Sequence, residues 1–393
     1  MQLIRLALLL AAASIAAAQS PATAQPQSSI PAQQVWQMQD SGTTASLRGI
    51  DSVDGTVAWA SGTGGTVLKT IDGGAHWTKC AVPDAAKDGA TLDFRGVQAW
   101  DAKTAIVMAS GKGKLSRLYK TKDGCKTWKL NFKNPDKDGF WNALYFGSFE
   151  KSKGLWNNGW LLGDPVNGMF TLFYTENAGK DWYRQRNKGL RVKQGSQGVF
   201  AASNSSLFAF GASVIFGTGG TGGSFVNTGM KWWICLDDCS PEEMGLYGNK
   251  HTWNRQQVPL EKDLDSTGVF SIDGQADPPN ALGYITDYKK FIAVGGDYNK
   301  PNESIGTSTW TVDGGLHWTA STTPPHGFRS AVQWSEALKA WITVGTNGSD
   351  VSRDDGKTWQ PLDDGNWNAL SLPFVVGPNG RIARLDPKAL PKP

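Results

Sequence analysis

Apolar and polar residues alternate in short runs along this chain, and the runs are broken by turns rich in Gly, Asp and Asn. Thr66-Val-Leu-Lys-Thr70 and Leu118-Tyr-Lys-Thr121 read as strands that end where a turn begins. Towards the C-terminus, Trp367-Asn-Ala-Leu-Ser-Leu372, Pro373-Phe-Val-Val-Gly377 and Gly380-Arg-Ile-Ala-Arg-Leu385 supply three more short strands, and Gln34-Val-Trp-Gln-Met-Gln39 supplies one near the other end. Beyond the first residues nothing in the pattern predicts a helix of any length. The expected class is all-β.

The turns share a motif, Ser/Thr-x-Asp/Asn-x-Gly-x-x-Trp. Its five copies are Thr70 to Trp77, Thr121 to Trp128, Thr175 to Trp182, Thr311 to Trp318 and Ser352 to Trp359, with Cys125 in place of the Gly in the second. The acid or amide (Asp72, Asp123, Asn177, Asp313, Asp354) can bond backbone N–H groups ahead of it. The Gly can take the positive φ of a tight hairpin. The Trp opens the returning strand with a large packing surface. Each copy therefore predicts a structural hairpin tip. Metal binding is disfavoured, because one shared carboxylate per copy falls far short of the six to eight oxygens that calcium takes. The motif resembles the Asp-box, or bacterial neuraminidase repeat, whose boxes are structural.

Repeats at this spacing imply a propeller or solenoid. The interval from Trp182 to Trp318 is far longer than the rest and hides a further unit. Gly217-Thr-Gly-Gly-Thr-Gly-Gly-Ser-Phe225 echoes Gly62-Thr-Gly-Gly-Thr-Val67, and Trp232 to Asp238 is followed by His251-Thr-Trp253, as if an insertion from Cys239 to Lys250 had opened a sixth box. The C-terminal strands lack a fourth, which Gln34–Gln39 supplies, with Trp36 in the box-Trp role. One blade shared between the two ends would close the ring and leave no long exposed sheet edge. The prediction is a seven-bladed β-propeller of four-stranded antiparallel blades, last blade closed by the N-terminal strand; eight blades would require two short ones within 198–266.

The first residues read as a secretory signal: Arg5, an apolar run from Leu6 to Ala18, then small residues. Residues 1–24 are the expected signal peptide, cleaved after Ala18 or Ala24, followed by a flexible lead over 25–33, a single propeller over 34–386 and a tail over 387–393. The apolar run is too short to span a bilayer. The chain is thus expected to be exported, to the periplasm or beyond the cell, and to be a monomer. Net charge is +4 with no basic run, which gives no footing for nucleic acid. Eighteen Trp and 47 Gly suit Trp-packed blades and Gly turns. The four Cys fit an oxidising compartment. Cys235 and Cys239 flank Leu-Asp-Asp and are expected to be bonded, while Cys80 and Cys125 lie on neighbouring blades where pairing is open.

The innermost strand of each blade is expected to begin with a related tripeptide, whose repeated polar position holds Arg48, Arg95, Asn142, Gln197, Thr267, Arg329 and Asn368. Equivalent positions in a closed propeller lie on a ring around the channel. Seven polar residues with three Arg and no acid would make an anion-attracting mouth, since Arg suits bidentate carboxylate recognition. The plainer reading is that they merely line a hydrated channel.

Boxes along the chain together with Arg-bearing strand starts such as Phe94-Arg95-Gly96 resemble the photosystem II stability/assembly factor-like propellers, an exported family. The resemblance implies a non-enzymatic assembly or chaperone module without cofactors, in which Arg48, Arg95 and Arg329 would grip a partner polypeptide through an acidic or carboxylate-bearing segment. Two other readings compete. A sialidase-like glycoside hydrolase shares the repeat, but Phe94-Arg95 and Phe328-Arg329 do not continue as that family's Phe-Arg-Ile-Pro signature. The acids open to nomination for a carboxylate pair are Asp93 and Asp164. A glycan-binding propeller would stack sugars on Trp left over from blade packing, such as Trp156, Trp160 and Trp233.

Overall fold

The computed structural model describes residues 34–392, except 83–84, 90, 148–156, 186–187, 193–195, 211–212, 231–252 and 279–287. Trp156, Trp233, Cys235, Cys239 and His251 therefore lie outside the described residues, as do the expected signal and lead.

The described residues form seven sheets, each of four antiparallel strands. Six blades follow chain order. Their first strands are Leu47–Ser52, Asp93–Ala99, Trp141–Phe146, Leu207–Phe210, Thr267–Ala276 and Ala331–Ser335. Their fourth strands are Thr78–Lys79, Lys129–Lys133, Tyr183–Arg184, Asn254–Gln257, Thr319–Ala320 and Gln360–Asp363. Blade 7 takes Ala369–Ser371, Phe374–Val376 and Ile382–Leu385 from the C-terminal end and Trp36–Gln39 from the other. The closing register runs from Trp36↔Leu385 to Gln39↔Ile382. First strands of successive blades pack against one another around the axis. The strands flanking the sixth unit pair, Phe225–Met230 with Asn254–Gln257 through Phe225↔Gln257 and Asn227↔Arg255, while Cys239 to Lys250 lies outside the described residues.

The second strands are the most apolar and buried, as strands covered by sheets on both faces must be. Between blades lie the large aromatic side chains. Trp36, Trp59, Trp141, Trp341 and Trp367 are almost completely buried. The motif Trp points into the seam with the preceding blade: Trp128 meets Trp59 edge-on at 6.2 Å, and Trp359 donates to Ser308 Oγ at 3.1 Å. Trp36 repeats the second relation across the last seam, donating to Ser349 Oγ at 2.8 Å. Trp160 is buried against Tyr174, so it offers no surface to a sugar.

In the first motif copy the Asp72 carboxylate accepts from the His76 N–H at 3.0 Å, and the Thr70 hydroxyl donates to Asp72 while accepting from the Gly74 N–H at 2.9 Å. The same bonds recur from Asp123 to Thr127, Asn177 to Asp181, Asp313 to His317 and Asp354 to Thr358. The two residues after the acid both have positive φ. Cys125 holds +70° where the other copies use Gly, and is bonded to Cys80 of blade 1, stapling blades 1 and 2.

Candidate functional site at the channel mouth

The first strands of blades 1, 2, 3 and 5 pair through a register irregularity. In blade 1 the pairing passes from Leu47↔Gly62 to Gly49↔Ser61, leaving Arg48 as the bulged residue; Arg95 and Asn142 hold that position in blades 2 and 3. A bulge re-aims its side chain, here toward the axis. In blade 5 the jump falls between Val269 and Ser271, so Phe270 occupies the position, three residues past Thr267. In blade 6 Ser330 donates to the Val344 carbonyl just ahead of Ala331↔Val344, as Asn368 donates to Val376 ahead of Ala369↔Val376 in blade 7. Ser330, one residue past Arg329, is thus the counterpart of Asn368.

A second ring fixes this register. Three residues further along, in blades 1, 2, 5, 6 and 7, a first-strand side chain accepts an N–H from the next blade. Asp51 takes Ala99 N at 2.6 Å, Asp273 takes Trp334 N at 2.7 Å, Gln333 takes Leu372 N at 2.7 Å and Ser371 takes Ser52 N at 2.9 Å. Gln98 takes Phe146 N in the same way.

Blade 4 departs from the expectation. Its first strand is Leu207–Phe210, ten residues after Gln197, and the intervening segment crosses the channel. Asn142 Nδ2 donates to Val199 O at 2.8 Å and Arg95 Nη1 to Ala201 O at 3.0 Å. Asn204, at φ +66°, exchanges bonds with both backbone groups of Leu144, and Ser203 donates to Ser330 O at 2.6 Å. The polar run Ser203-Asn204-Ser205-Ser206 satisfies inner-strand groups of neighbouring blades that would otherwise face an empty centre.

The predicted polar residues therefore have unequal surroundings. Asp93 lies between two arginines, accepting from Arg95 Nε at 2.7 Å and standing 3.3 Å from Arg48 Nε. These side chains keep 29 % (Arg48), 26 % (Arg95) and 21 % (Asp93) of their surface in solvent. Burial lowers the Arg48 pKa, with Asp93 opposing and the like charge of Arg95 adding to the fall. Two guanidiniums against one carboxylate leave a net positive group at the mouth. Arg329, by contrast, is fully buried and paired with the equally buried Asp350, to which its Nε donates at 2.6 Å. Phe328 O and Asn347 Oδ1 take its Nη1. Asn142 is buried on Asp164, Gln197 is buried and accepts from Arg255, Thr267 is buried and caps Leu264 O, and half-buried Asn368 donates to Leu47 O. The mouth is not free of acid: Asp93, Asp164 and Asp350 each sit against a predicted ring residue.

Beside the arginines the mouth is aromatic. Phe200, next to the Ala201 that Arg95 holds, stacks on Phe270 at 3.8 Å, and Phe270 meets Phe328 at 4.7 Å. A hollow of about 370 Å³ adjoins it, lined by Asp164, Ser196, Gln197, Phe200, Gly219 and Asp265. Burial raises the Asp164 pKa against bonds from the Val199 N–H and Asn142. No group of three or more metal-ligating side chains occurs among the described residues. Sequence reasoning missed Asp93 as the bridge between Arg48 and Arg95, although its place two residues before Arg95 was available as a signal.

No protein-family model matches the chain, and no curated protein matches it. Among the solved structures that share its fold are two of YCF48. One is YCF48 bound to a D1 peptide, 16% identical, with a TM-score of 0.55, covering 90% of this chain and 97% of that one. The other is YCF48 from Cyanidioschyzon merolae, 18% identical, with a TM-score of 0.53, covering 90% of this chain and 99% of that one.

Proposed function

We propose that this chain is an exported, non-catalytic propeller that holds a segment of a partner polypeptide at the channel mouth, as an assembly factor or chaperone-like scaffold does. The observation that carries the reading is the Arg48–Asp93–Arg95 group, a partly exposed cluster with one positive charge in excess. A carboxylate from the partner would balance it through the guanidinium edges that Asp93 leaves open. Arg329 serves this site indirectly, by tying Phe328 and Asn347 to blade 6. Asn142, Gln197, Thr267 and Asn368 shape the rim through their internal bonds. The fold shared with YCF48, one structure of which is bound to a D1 peptide, supports the reading. Asp93 and Asp164 are committed to internal bonds, which argues against their serving as a glycosidase pair. The Cys80–Cys125 bond suits an exported protein, and pairing of Cys235 with Cys239 belongs to the same proposal. Among the described residues no helix is long and apolar enough to cross a membrane.

The test is capture of partners from the exported fraction by wild type and by the Arg48→Gln/Arg95→Gln variant. The reading expects an unchanged melt, capture that weakens as salt rises, and loss of capture in the variant. Hydrolysis of a sialoside, abolished by the same pair, would replace it with an enzyme.

A further inference from the structure

Strand direction puts the motif turns at the end of the propeller opposite the mouth. First and third strands of a blade run away from the mouth, so the turns joining third to fourth strands lie on the far face. Between the turns of blades 2 and 3 is a hollow of about 450 Å³. Four lysines line it, Lys120, Lys122, Lys129 and Lys180, with Asp123 as its only acid. That acid is already engaged: its carboxylate accepts from the Thr127 N–H at 2.9 Å, the Thr127 hydroxyl at 2.6 Å and the Thr121 hydroxyl at 2.9 Å. Lys122, Lys129 and Lys180 are exposed and make no ion pair among the described residues. Lys120 is fixed at the wall, donating to Ala178 O at 2.5 Å over the Trp100 ring. Burial first, and the like charge of Lys122 second, push it down to about 8. The walls are pinned as well, one by the Cys80–Cys125 bond and the other by the Asn177–Asp181 bonds.

We propose that this hollow is an anion site, distinct from the mouth, that takes a multiply charged phosphate group. Four ammonium groups around one concavity are suited to a compact polyanion approached as a point charge, which is how Lys binds phosphate. Such a group comes from either a soluble phosphate ester or an anionic lipid headgroup. A propeller with a polypeptide at one face and a phosphate group at the other would link the two.

Pyrophosphate binding to the intact protein, read by calorimetry, tests the site. Wild type and the Arg48→Gln/Arg95→Gln variant are expected to bind alike, which separates this site from the mouth. Lys122→Gln/Lys180→Gln is expected to bind at least tenfold more weakly with its melt unchanged. Flotation with phosphatidylglycerol vesicles, against phosphatidylcholine vesicles, distinguishes the sources: capture competed by pyrophosphate assigns a headgroup, and pyrophosphate binding without capture assigns a soluble ligand. Absence of both pyrophosphate binding and vesicle capture in the wild type, or equal affinity in the lysine variant, overturns the proposal.

Discussion

Lys69 of blade 1 donates from Nζ to the carbonyl oxygen of Gly124 in blade 2 at 3.0 Å, across the seam between them. Gly124 is the fourth residue of its motif. Lys120 reaches the fourth residue of the next copy, Ala178, and Arg384 closes the last seam onto Gly73 O at 3.2 Å. Lys290 meets the side chain of Asp355, again the fourth residue, at 2.8 Å. All four residues have positive φ, from +56° to +74°, which turns the local backbone toward the neighbouring blade. The first three cations also lie over an aromatic ring of the seam, Trp59, Trp100 or Phe374. The motif is thus half of a clasp whose other half is a cation one blade earlier.

Arg384 bears the most on closure, since it also donates to Gly55 O at 2.6 Å. Arg384→Met keeps the stem against Phe374 but removes the charged bonds. It is expected to lower stability by about 1.5–3 kcal/mol, the range for hydrogen bonds to charged groups. A thermal or urea melt checks this, and a loss within error would remove the clasp from the account of ring closure.

Trp36 tests the same closure from the other side. It is 2% exposed, lies 6.1 Å from Trp367 and bonds Ser349 in blade 6. Trp36→Ala should cost about 3–5 kcal/mol, as large-to-small changes in cores do. Trp36→Phe keeps most of the packing and should cost about 1 kcal/mol for the lost hydrogen bond. Deleting 34–39 removes a whole strand of blade 7 and should abolish the cooperative melt.

Arg329 and the Arg48–Arg95 pair should separate cleanly. Removing Arg329 leaves the buried Asp350 without its guanidinium partner and with only His326 against it, so Arg329→Met should cost about 3–5 kcal/mol. The double change Arg329→Met/Asp350→Leu should recover part of that loss, because it removes both charges. Capture per folded molecule should survive both. Arg48→Gln/Arg95→Gln should show the reverse pattern, a normal melt with weak capture.

The blade count and the closing strand were legible because they rest on local chemistry: a turn motif that repeats, and a last blade one strand short. The mouth was legible only where local pattern and register agree. Arg48, Arg95 and Asn142 sit at equivalent positions as the bulged residues of their strand starts, and Asn368 holds the matching place through its N–H bond to Val376 O. In blades 5 and 6 similarity of residue type picked Thr267 and Arg329, whereas the bonds between inner strands place Phe270 and Ser330. Gln197 was misplaced by ten residues because Val199–Ser206 bonds to four other blades, a non-local demand that no short window contains. The burial of Arg329 has the same origin: Asp350 lies on another strand, 21 residues away.

Asp273 predicts how stability depends on pH. It is partly buried at the inner ring, and burial pushes its pKa up to about 7 from 3.8, against bonds from the Trp334 and Gly274 N–H groups. The folded state therefore binds this proton more tightly than the unfolded chain. Between roughly pH 4 and 7 the unfolded chain gives the proton up while the folded state keeps it, so stability falls as pH rises through that window. Above 7 the penalty is fully present, and below 4 it is absent. Asp72 and Asp123 run the other way, but their pKa values lie near 2, so their contribution is lost only in stronger acid. His326, raised by its bond to Asp350, also loses stability as pH rises, from 6.5 upward. Comparison with Asp273→Asn isolates the aspartate, because an amide oxygen still accepts from Trp334 and carries no charge. The wild type should lose Tm relative to this variant between pH 5 and pH 8, with the gap level beyond pH 8. A constant gap across that range would mean that Asp273 is not protonated in the fold.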